Sequence, residues 1–380
     1  MTTTTCAERL ARARKQLADQ SLDALLVGPS PDFRYLTGYL PPALERLTML
    51  VVPAQGEVRL VVPALEAPLA HDQLGDLDVE VVSWRETDDP VALVRSALEA
   101  AGPSGATAPA RLAVGDQLWS SFLLRLQAAL PRAEFSLASA VTRRLRMVKD
   151  DAEVEALARV AAAIDQVVSG LPELRWAGRT EREIARELDR RIREVHDDTL
   201  FVIVGAGPGS ASPHHEPGDR VIRPGDAVVV DIGGSLDGYC SDTTRTLVVG
   251  EPPAGFLELY EVLRAAQEAG CAAVRAGVPA ETVDAACRDI ITAAGYGERF
   301  LHRTGHGIGL EVHEEPYIVA GNGEPLAPGM AFSVEPGIYL AGRHGARIED
   351  IVVCPPGDPG GAQGARRLNR TSRDLLVVPG

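Results

Sequence analysis

Residues 227–248 read AVVVDIGGSLDGYCSDTTRTLV. Two runs rich in β-branched residues flank Ser235-Leu236-Asp237-Gly238, and Asp-Gly between such runs is a strong turn signal. With those four residues as a hairpin loop, the ladder pairs Gly234 with Tyr239 and, three steps down, Asp231 with Asp242. Directly opposed residues share a face, with Cβ atoms about 4.5–5.5 Å apart. Two carboxylates that close in an apolar sheet repel each other, so one would stay protonated. A bound cation removes that cost, and the hairpin reads as half of a metal site.

A second arrangement of the same kind lies downstream. Residues 330–354 read MAFSVEPGIYLAGRHGARIEDIVVC, two strand-like runs around a loop containing Gly342. A hairpin centred on Gly342 places Glu335 opposite Glu349. Between the two hairpins, Thr304-Gly305-His306-Gly307-Ile308-Gly309 puts a histidine in a glycine-rich segment. Four carboxylates and one imidazole suit two hard or borderline divalent ions better than a thiolate zinc site. Two such metals about 3.5–4 Å apart can share a hydroxide and act on an acyl carbon.

The order Asp231, Asp242, His306, Glu335, Glu349, carried by VDIG, SDTTR, TGHGIG, SVEPGIY and RIED, resembles the pita-bread metallopeptidases. That family includes Xaa-Pro dipeptidases (prolidases), Xaa-Pro aminopeptidases and methionine aminopeptidases. The successive spacings of 11, 64, 29 and 14 residues resemble the prolidase branch. The resemblance implies an α/β N-terminal domain of the creatinase/prolidase kind over 1–148 and an α+β pita-bread catalytic domain over 149–380. It makes the five residues ligands of two divalent metal ions, manganese first, with cobalt, zinc and iron as alternatives. It implies a peptidase acting on short peptides with proline at the second position, and a homodimer.

Residue by residue, the resemblance places His214, His313, Glu335 and Arg347 in the catalytic group. Glu335 would act as general base, and a neutral imidazole beside the scissile amide hydrogen-bonds its oxyanion or passes a proton. His214, His313, Tyr317, Tyr339 and Arg347 would contact substrate, and Arg347, two before Glu349 on the same strand face, would orient that ligand or the substrate. One position departs from the pattern. Some prolidases carry an arginine four residues after the histidine matching His313, where it holds a dipeptide's carboxylate, and this chain has Tyr317. Tyrosine cannot form the bidentate charged clamp of arginine, so an Xaa-Pro aminopeptidase working on longer peptides is the runner-up to the dipeptidase. A ligand-depleted relative serving as a protein-binding module fits poorly with all five ligand types present, and no GxSxG elbow supports a serine hydrolase. Methionine aminopeptidases usually lack an N-terminal domain of this kind, and creatinase does not keep the five ligands.

Composition sets the outer bounds. At 380 residues two domains are the natural expectation. A net charge of −15 argues against nucleic acid and anionic membranes, which attract basic surfaces. Five cysteines without a CxxC pair, and no apolar signal segment at the N-terminus, point to reduced thiols and a cytoplasmic chain. No apolar run reaches the length of about 18 residues that a membrane span needs.

The remaining expectations are structural. Helix over 6–20, strands over 22–27, 47–52, 58–62, 79–83 and 111–114, and helices over 90–101 and 118–129 describe a small α/β domain. Asp32–Gly38 resembles an NxxYLTG segment with aspartate at the usual asparagine, and Tyr35 and Gly38 read as structural. Asp150 or Asp151 caps a helix over 152–171, and Thr180 to Glu183 forms a capping box for a second one with a stripe of Ile184, Leu188, Ile192 and Val195. Strand 201–204 leads into Gly205-Ala206-Gly207-Pro208-Gly209, where Pro208 spoils a nucleotide fingerprint. Helices over 255–276 and 281–294 follow, the latter with an apolar face of Val283, Cys287, Ile290 and Ala294. Arg245 reads as a brace for the carboxylates, His302 as a supporting residue and His344 as a solvated loop residue.

Overall fold

The structure is a computed structural model that describes residues 3–101, 111–357 and 364–380. The chain forms two compact units, Met1–Arg146 and Met147–Gly380.

In the first unit, strands β1 (Ala24–Val27), β2 (Met49–Pro53), β3 (Arg59–Pro63), β4 (Glu80–Trp84), β5 (Arg111–Val114) and β6 (Glu134–Leu137) form one sheet in the order β4-β3-β2-β1-β5-β6. The β1–β2 and β2–β3 pairs are antiparallel and the rest parallel. All four residues of β1 are buried, as a central strand covered on both faces requires. Helices α1 (Thr3–Asp19), α2 (Pro31–Thr37), α3 (Ala67–Leu74), α4 (Pro90–Ala101), α5 (Ser120–Ala129) and α6 (Ser139–Met147) surround it. The apolar stripes of α4 and α5 pack with Leu26, Val51 and Val114. Within α2, Asp32 accepts from Thr142 Oγ1 at 2.9 Å and Arg146 Nη1 at 2.7 Å. Tyr35 donates its hydroxyl to the Leu145 carbonyl at 2.9 Å, and Gly38 ends α2 at φ 76°.

In the second unit, helices α7 (Asp151–Ser169), α8 (Glu181–Arg193), α9 (Phe256–Ala273) and α10 (Ala280–Ala293) cover three sheets. Asp150 and Thr180 are the N-caps of α7 and α8, each closed by a glutamate at the third helical position; such caps contribute about 1 kcal/mol each. The first sheet contains β7 (Asp198–Ala206), β8 (Ala227–Leu236), β9 (Tyr239–Cys240), β10 (Thr243–Val249) and, at its edge, the late strand Leu376–Val378. The second contains β11 (Gly305–Gly307), β12 (Glu314–Ile318), β13 (Ala331–Val334), β16 (Asp350–Val353) and β17 (Arg366–Arg367), and the third pairs β14 (Gly337–Leu340) with β15 (His344–Arg347). The strand Leu376–Val378 is β18. Alternation along β8 sends Val228, Val230 and Ile232 into the core under α7 and α8 and turns Asp231 to the other face. Helices α9 and α10 cover the second and third sheets through Leu263, Val283, Cys287 and Ile291, packed with Phe332, Val334, Ile338 and Val352.

Three local expectations are corrected. The first hairpin has a two-residue loop, Asp237-Gly238, both at positive φ (53° and 84°), the geometry that Asp-Gly favours in the tightest hairpins. Leu236 therefore pairs with Tyr239 and Asp231 with Thr244, a register two residues away from the expected one. An even shift preserves the face, so Asp242 stays on the side of Asp231 but lies diagonally from it. The buried face of α10 is Ala280, Val283, Asp284, Cys287 and Ile291, while Ala294 is exposed beyond the helix end. His344 is buried, its ring edge-on to Phe256 at 5.1 Å, because the short loop before it folds the strand back onto α9.

Candidate active site

Asp231, Asp242, His306, Glu335 and Glu349 all line one cavity of about 780 Å³, together with His214, His302, Arg303, His313 and Arg347 and an apolar wall of Leu200, Phe201, Ile203 and Val312. The wall follows from register. Ile203 pairs with Asp231 across β7 and β8, so it shares the face on which the carboxylate lies.

His306 is delivered by β11, a three-residue strand pressed between two neighbours. A β-carbon at Gly305 would collide with the Ser333 carbonyl, and one at Gly307 with that of Glu315. Only glycine on each side lets the imidazole in. Its Nδ1 lies 3.1 Å from the Gly307 carbonyl, so Nδ1 donates there and Nε2 is aimed at Glu335 Oε1 at 3.2 Å and Asp242 Oδ2 at 3.6 Å.

The second hairpin keeps the expected register: Val334 pairs with Asp350 and Gly337 with Arg347. Its ladder breaks between those pairs, at the level of Glu335 and Glu349. The Glu335 N–H donates instead to the Thr304 carbonyl at 2.8 Å and that of Glu349 to the Thr244 carbonyl at 3.1 Å. Both glutamates are thus tied by their backbones to neighbouring strands.

Arg347 is buried and donates four hydrogen bonds. Its Nη2 donates to Asp231 Oδ2 at 2.5 Å, Nη1 to Tyr339 Oη at 2.8 Å and to the Pro213 carbonyl at 3.2 Å, and Nε to Thr244 Oγ1 at 3.1 Å. Of five N–H groups, at most one remains for a ligand. The bond to Pro213 also pins the residue before His214. Tyr339 does not reach the cavity; its hydroxyl is held by Arg347 and His302 Nε2 (2.8 Å) and is buried behind them. Tyr317 lies outside the cavity wall as well, its ring under the Arg303 guanidinium at 4.3 Å. Neither tyrosine lines the cavity in which the resemblance implied direct substrate contact. His215 pairs with the buried Glu181 at 2.8 Å.

Several supports were not singled out by the sequence pattern. Thr244 Oγ1 donates to Glu349 Oε2 at 2.7 Å while accepting from Arg347. Ser333 Oγ donates to Glu335 Oε1 at 3.1 Å and accepts the His306 N–H at 3.0 Å. A two-residue loop reading of Asp-Gly would have put Thr244 opposite Asp231, and Ser333 sits one alternation before Glu335. Arg245 braces the backbone and not the ligand carboxylates: it donates to the Glu349 carbonyl at 2.6 Å and to Asp350 Oδ1 at 2.7 Å.

The electrostatics fit a divalent cation. Burial, then the carboxylates of Glu349, Asp231 and Glu335, raise Asp242 well above the usual range. Burial, then Glu335 and Asp231, do the same to Glu349. Burial opposes ionisation of Glu335, but the hydrogen bond and charge of His306, with His302 and Arg347, bring it down to about 2. The cluster thus keeps charge on Glu335 and resists it on its neighbours, which is the state a cation would reverse. Asp231 Oδ1 and Glu349 Oε1 are buried with no hydrogen-bond partner. Ligand atoms of Asp242, His306 and Glu349 lie within 4.8 Å of one another. Carboxylate oxygens plus one imidazole suit a divalent ion. The rings of His306 and His313 meet edge-on at 4.2 Å, and burial, then His306 and Arg303, lower His313 to about 4.

Known proteins carry the same plan. The family described as Metallopeptidase family M24 matches residues 154–356, and the Creatinase/Prolidase N-terminal domain matches 9–148. The chain is 47% identical over 376 residues to a probable dipeptidase PepE of Mycobacterium tuberculosis, covering 98% of this chain and 96% of that protein. It is 34% identical to an Xaa-Pro dipeptidase of Lactobacillus helveticus, covering 97% and 99%. The crystal structure of dipeptidase PepE from Mycobacterium ulcerans superposes with a TM-score of 0.92 at 47% identity over the whole of both chains. A catalytic unit whose helix-backed sheets bring four carboxylates and one histidine to a single cavity, preceded by a creatinase-type unit, is a peptidase architecture, and the chain belongs to metallopeptidase family M24.

Proposed function

We propose that the chain is a dinuclear-metal Xaa-Pro dipeptidase. The observation that carries the reading is the convergence of Asp231, Asp242, His306, Glu335 and Glu349 on one cavity, with a free carboxylate oxygen on Asp231 and another on Glu349. Those five residues would hold the ions. When bound, the ions supply a nucleophilic water at neutral pH and polarise the acyl oxygen. The protein's own groups then do the rest. Glu335, held ionised, accepts the proton of the attacking water. His313, neutral above about pH 5 because its pKa lies near 4, hydrogen-bonds the carbonyl oxygen as it gains charge. His214 lines the same cavity beside it and meets the departing amine. Arg347 orients Asp231 and fixes the loop bearing His214, and so acts by positioning. Leu200, Phe201, Ile203 and Val312 give the peptide's side chains an apolar wall.

Manganese is the ion within this reading, and the chain works as a cytoplasmic homodimer whose domains meet at 148/149. All five cysteines are free and buried, which suits a reducing compartment. No described helix is long and apolar enough to cross a membrane.

An Xaa-Pro aminopeptidase is the second reading, favoured by Tyr317 in the arginine position. The test is a chelated enzyme reloaded with manganese and offered a matched Xaa-Pro dipeptide and Xaa-Pro-Yaa tripeptide. Chelation should abolish turnover and manganese restore it, with kcat/KM higher for the dipeptide. A tripeptide preference of about tenfold, roughly 1.4 kcal/mol of transition-state binding, would move the assignment to the aminopeptidase. Activity that persists without metal would refute the metallopeptidase mechanism.

A further inference from the structure

Building on the proposed peptidase reading, we infer that Arg303 grips the free carboxylate of the substrate and thereby sets the peptide length the site prefers. The four carboxylates on the cavity wall are committed to the ions, so a peptide's own carboxylate needs a cation elsewhere on the wall. Two arginines line the cavity. Arg347 is committed to Asp231, Tyr339, Thr244 and the Pro213 carbonyl. Among the described residues no hydrogen bond or ion pair engages the Arg303 guanidinium, which is half-buried in the cavity wall.

Arg303 is nonetheless held in place. Its guanidinium lies over the Tyr317 ring at 4.3 Å, a contact with the ring face that leaves its N–H fork without a hydrogen-bond acceptor. That fork matches a carboxylate in bidentate geometry. The platform is itself fixed. The Tyr317 N–H donates to Glu315 Oε2 at 3.1 Å, its carbonyl accepts from Asn322 Nδ2 at 2.6 Å, and β12 pairs it with His306 on β11. The backbone on either side of Arg303 is equally constrained. His302 is bonded to Tyr339, and Thr304 donates its Oγ1 proton to Asp284 at 2.8 Å. The tyrosine that stands where an arginine was expected is therefore a support for a different arginine, which reaches the cavity from the segment before His306.

The experiment compares Ala-Pro with its C-terminal amide on the manganese-loaded enzyme and on Arg303→Ala and Arg303→Lys. Wild type should favour the acid over the amide. Loss of a charge-assisted bidentate contact should raise KM for the acid roughly 10–100-fold in Arg303→Ala, with the amide changed less than about threefold. Arg303→Lys should recover only part, because lysine restores the charge and not the fork. Equal loss on acid and amide would assign Arg303 a structural role and overturn the inference, as would an acid preference unchanged in Arg303→Ala. If the loaded wild type cleaves neither peptide, the peptidase reading falls on its own. Calorimetric binding of the same two peptides then decides: selective weakening of the acid by Arg303→Ala upholds the clamp, and equal weakening or none refutes it.

Discussion

The two ligand-bearing hairpins solve the same problem by different means. In the first, β8 runs unbroken through Asp231, and the partner strand is interrupted only at Ser241 and Asp242, between β9 and β10. In the second, both strands break at the level of Glu335 and Glu349, and four short strands end up in two sheets. A continuous strand fixes its side chain through the ladder. A broken one must fix it through other partners, and Glu349 takes those from the first hairpin: its N–H and Oε2 both go to Thr244. The debt is mutual in geometry, since Arg347 of the second hairpin holds Asp231 of the first. The site is a cross-braced pair, and neither hairpin forms it alone.

Breaking the brace at Arg347 should have the largest effect. Arg347→Ala leaves Asp231 buried without its cation and frees Pro213 and Tyr339. Removing one partner of a buried ion pair typically costs about 3–5 kcal/mol. Denaturant unfolding should show a loss of that order for the second unit, and turnover should fall beyond detection even at saturating manganese. A variant that unfolds normally and regains activity with excess metal would mean that the two hairpins hold their ligands independently.

The two hydroxyl supports offer a finer comparison. Thr244 links the hairpins, whereas Ser333 acts within the second sheet on Glu335 and the neighbouring His306 backbone. Removal of an outer hydrogen-bond partner commonly lowers metal affinity about 10–100-fold. Thr244→Val, which keeps shape and loses the hydroxyl, should fall in that range by calorimetric metal titration, because it releases Glu349 and an Arg347 contact together. Ser333→Ala should lose less than about tenfold, since His306 still contacts Glu335 and the Glu335 N–H remains bonded to Thr304. The reverse order would make the local brace, and not the cross-brace, the dominant one.

How much of this was legible in the sequence follows the same divide. The four expected carboxylates reach the cavity because face is a matter of parity, and parity survived a wrong loop length in the first hairpin. Register did not, since Asp-Gly can occupy either a two-residue loop or the end of a four-residue one, and only positive φ at both residues decides. In the second hairpin the pairing was legible but the break in the ladder was not, because nothing in SVEPG or ARIED states where an N–H will find a better acceptor. The cap at Asp150 or Asp151, the capping box at Thr180 and most strands of the first unit were readable from local chemistry. The short helix α2 and strand β6 were not: α2 is seven residues long, and the burial pattern of β6 is mostly exposed. Arg303 left no signal, as a lone arginine three residues before a histidine has no pattern. Its role emerges only from what Arg347 is already doing.

The smallest expected effect tests whether turn strain travels to the ligands. Gly238 and Gly342 both sit at positive φ, 84° and 74°, in the loops of the two hairpins. Alanine at either position meets the left-handed backbone penalty of about 1 kcal/mol, so both variants should be slightly and similarly destabilised. Their effect on metal binding should differ. From Gly238 the chain reaches Asp242 in four residues, paired by Leu236 with Tyr239, Ser235 with Cys240 and the Ser241 N–H to the Gly234 carbonyl at 2.8 Å. From Gly342 the strain must cross the break in the ladder, where Glu335 and Glu349 answer to Thr304 and Thr244 and not to each other. Gly238→Ala should therefore weaken metal binding by a few-fold, roughly what several tenths of a kcal/mol at one ligand would give, while Gly342→Ala leaves it unchanged. Titration of both variants against wild type, with unfolding measured in parallel, separates the two contributions. Equal weakening in both would mean that the break does not insulate the second pair of ligands.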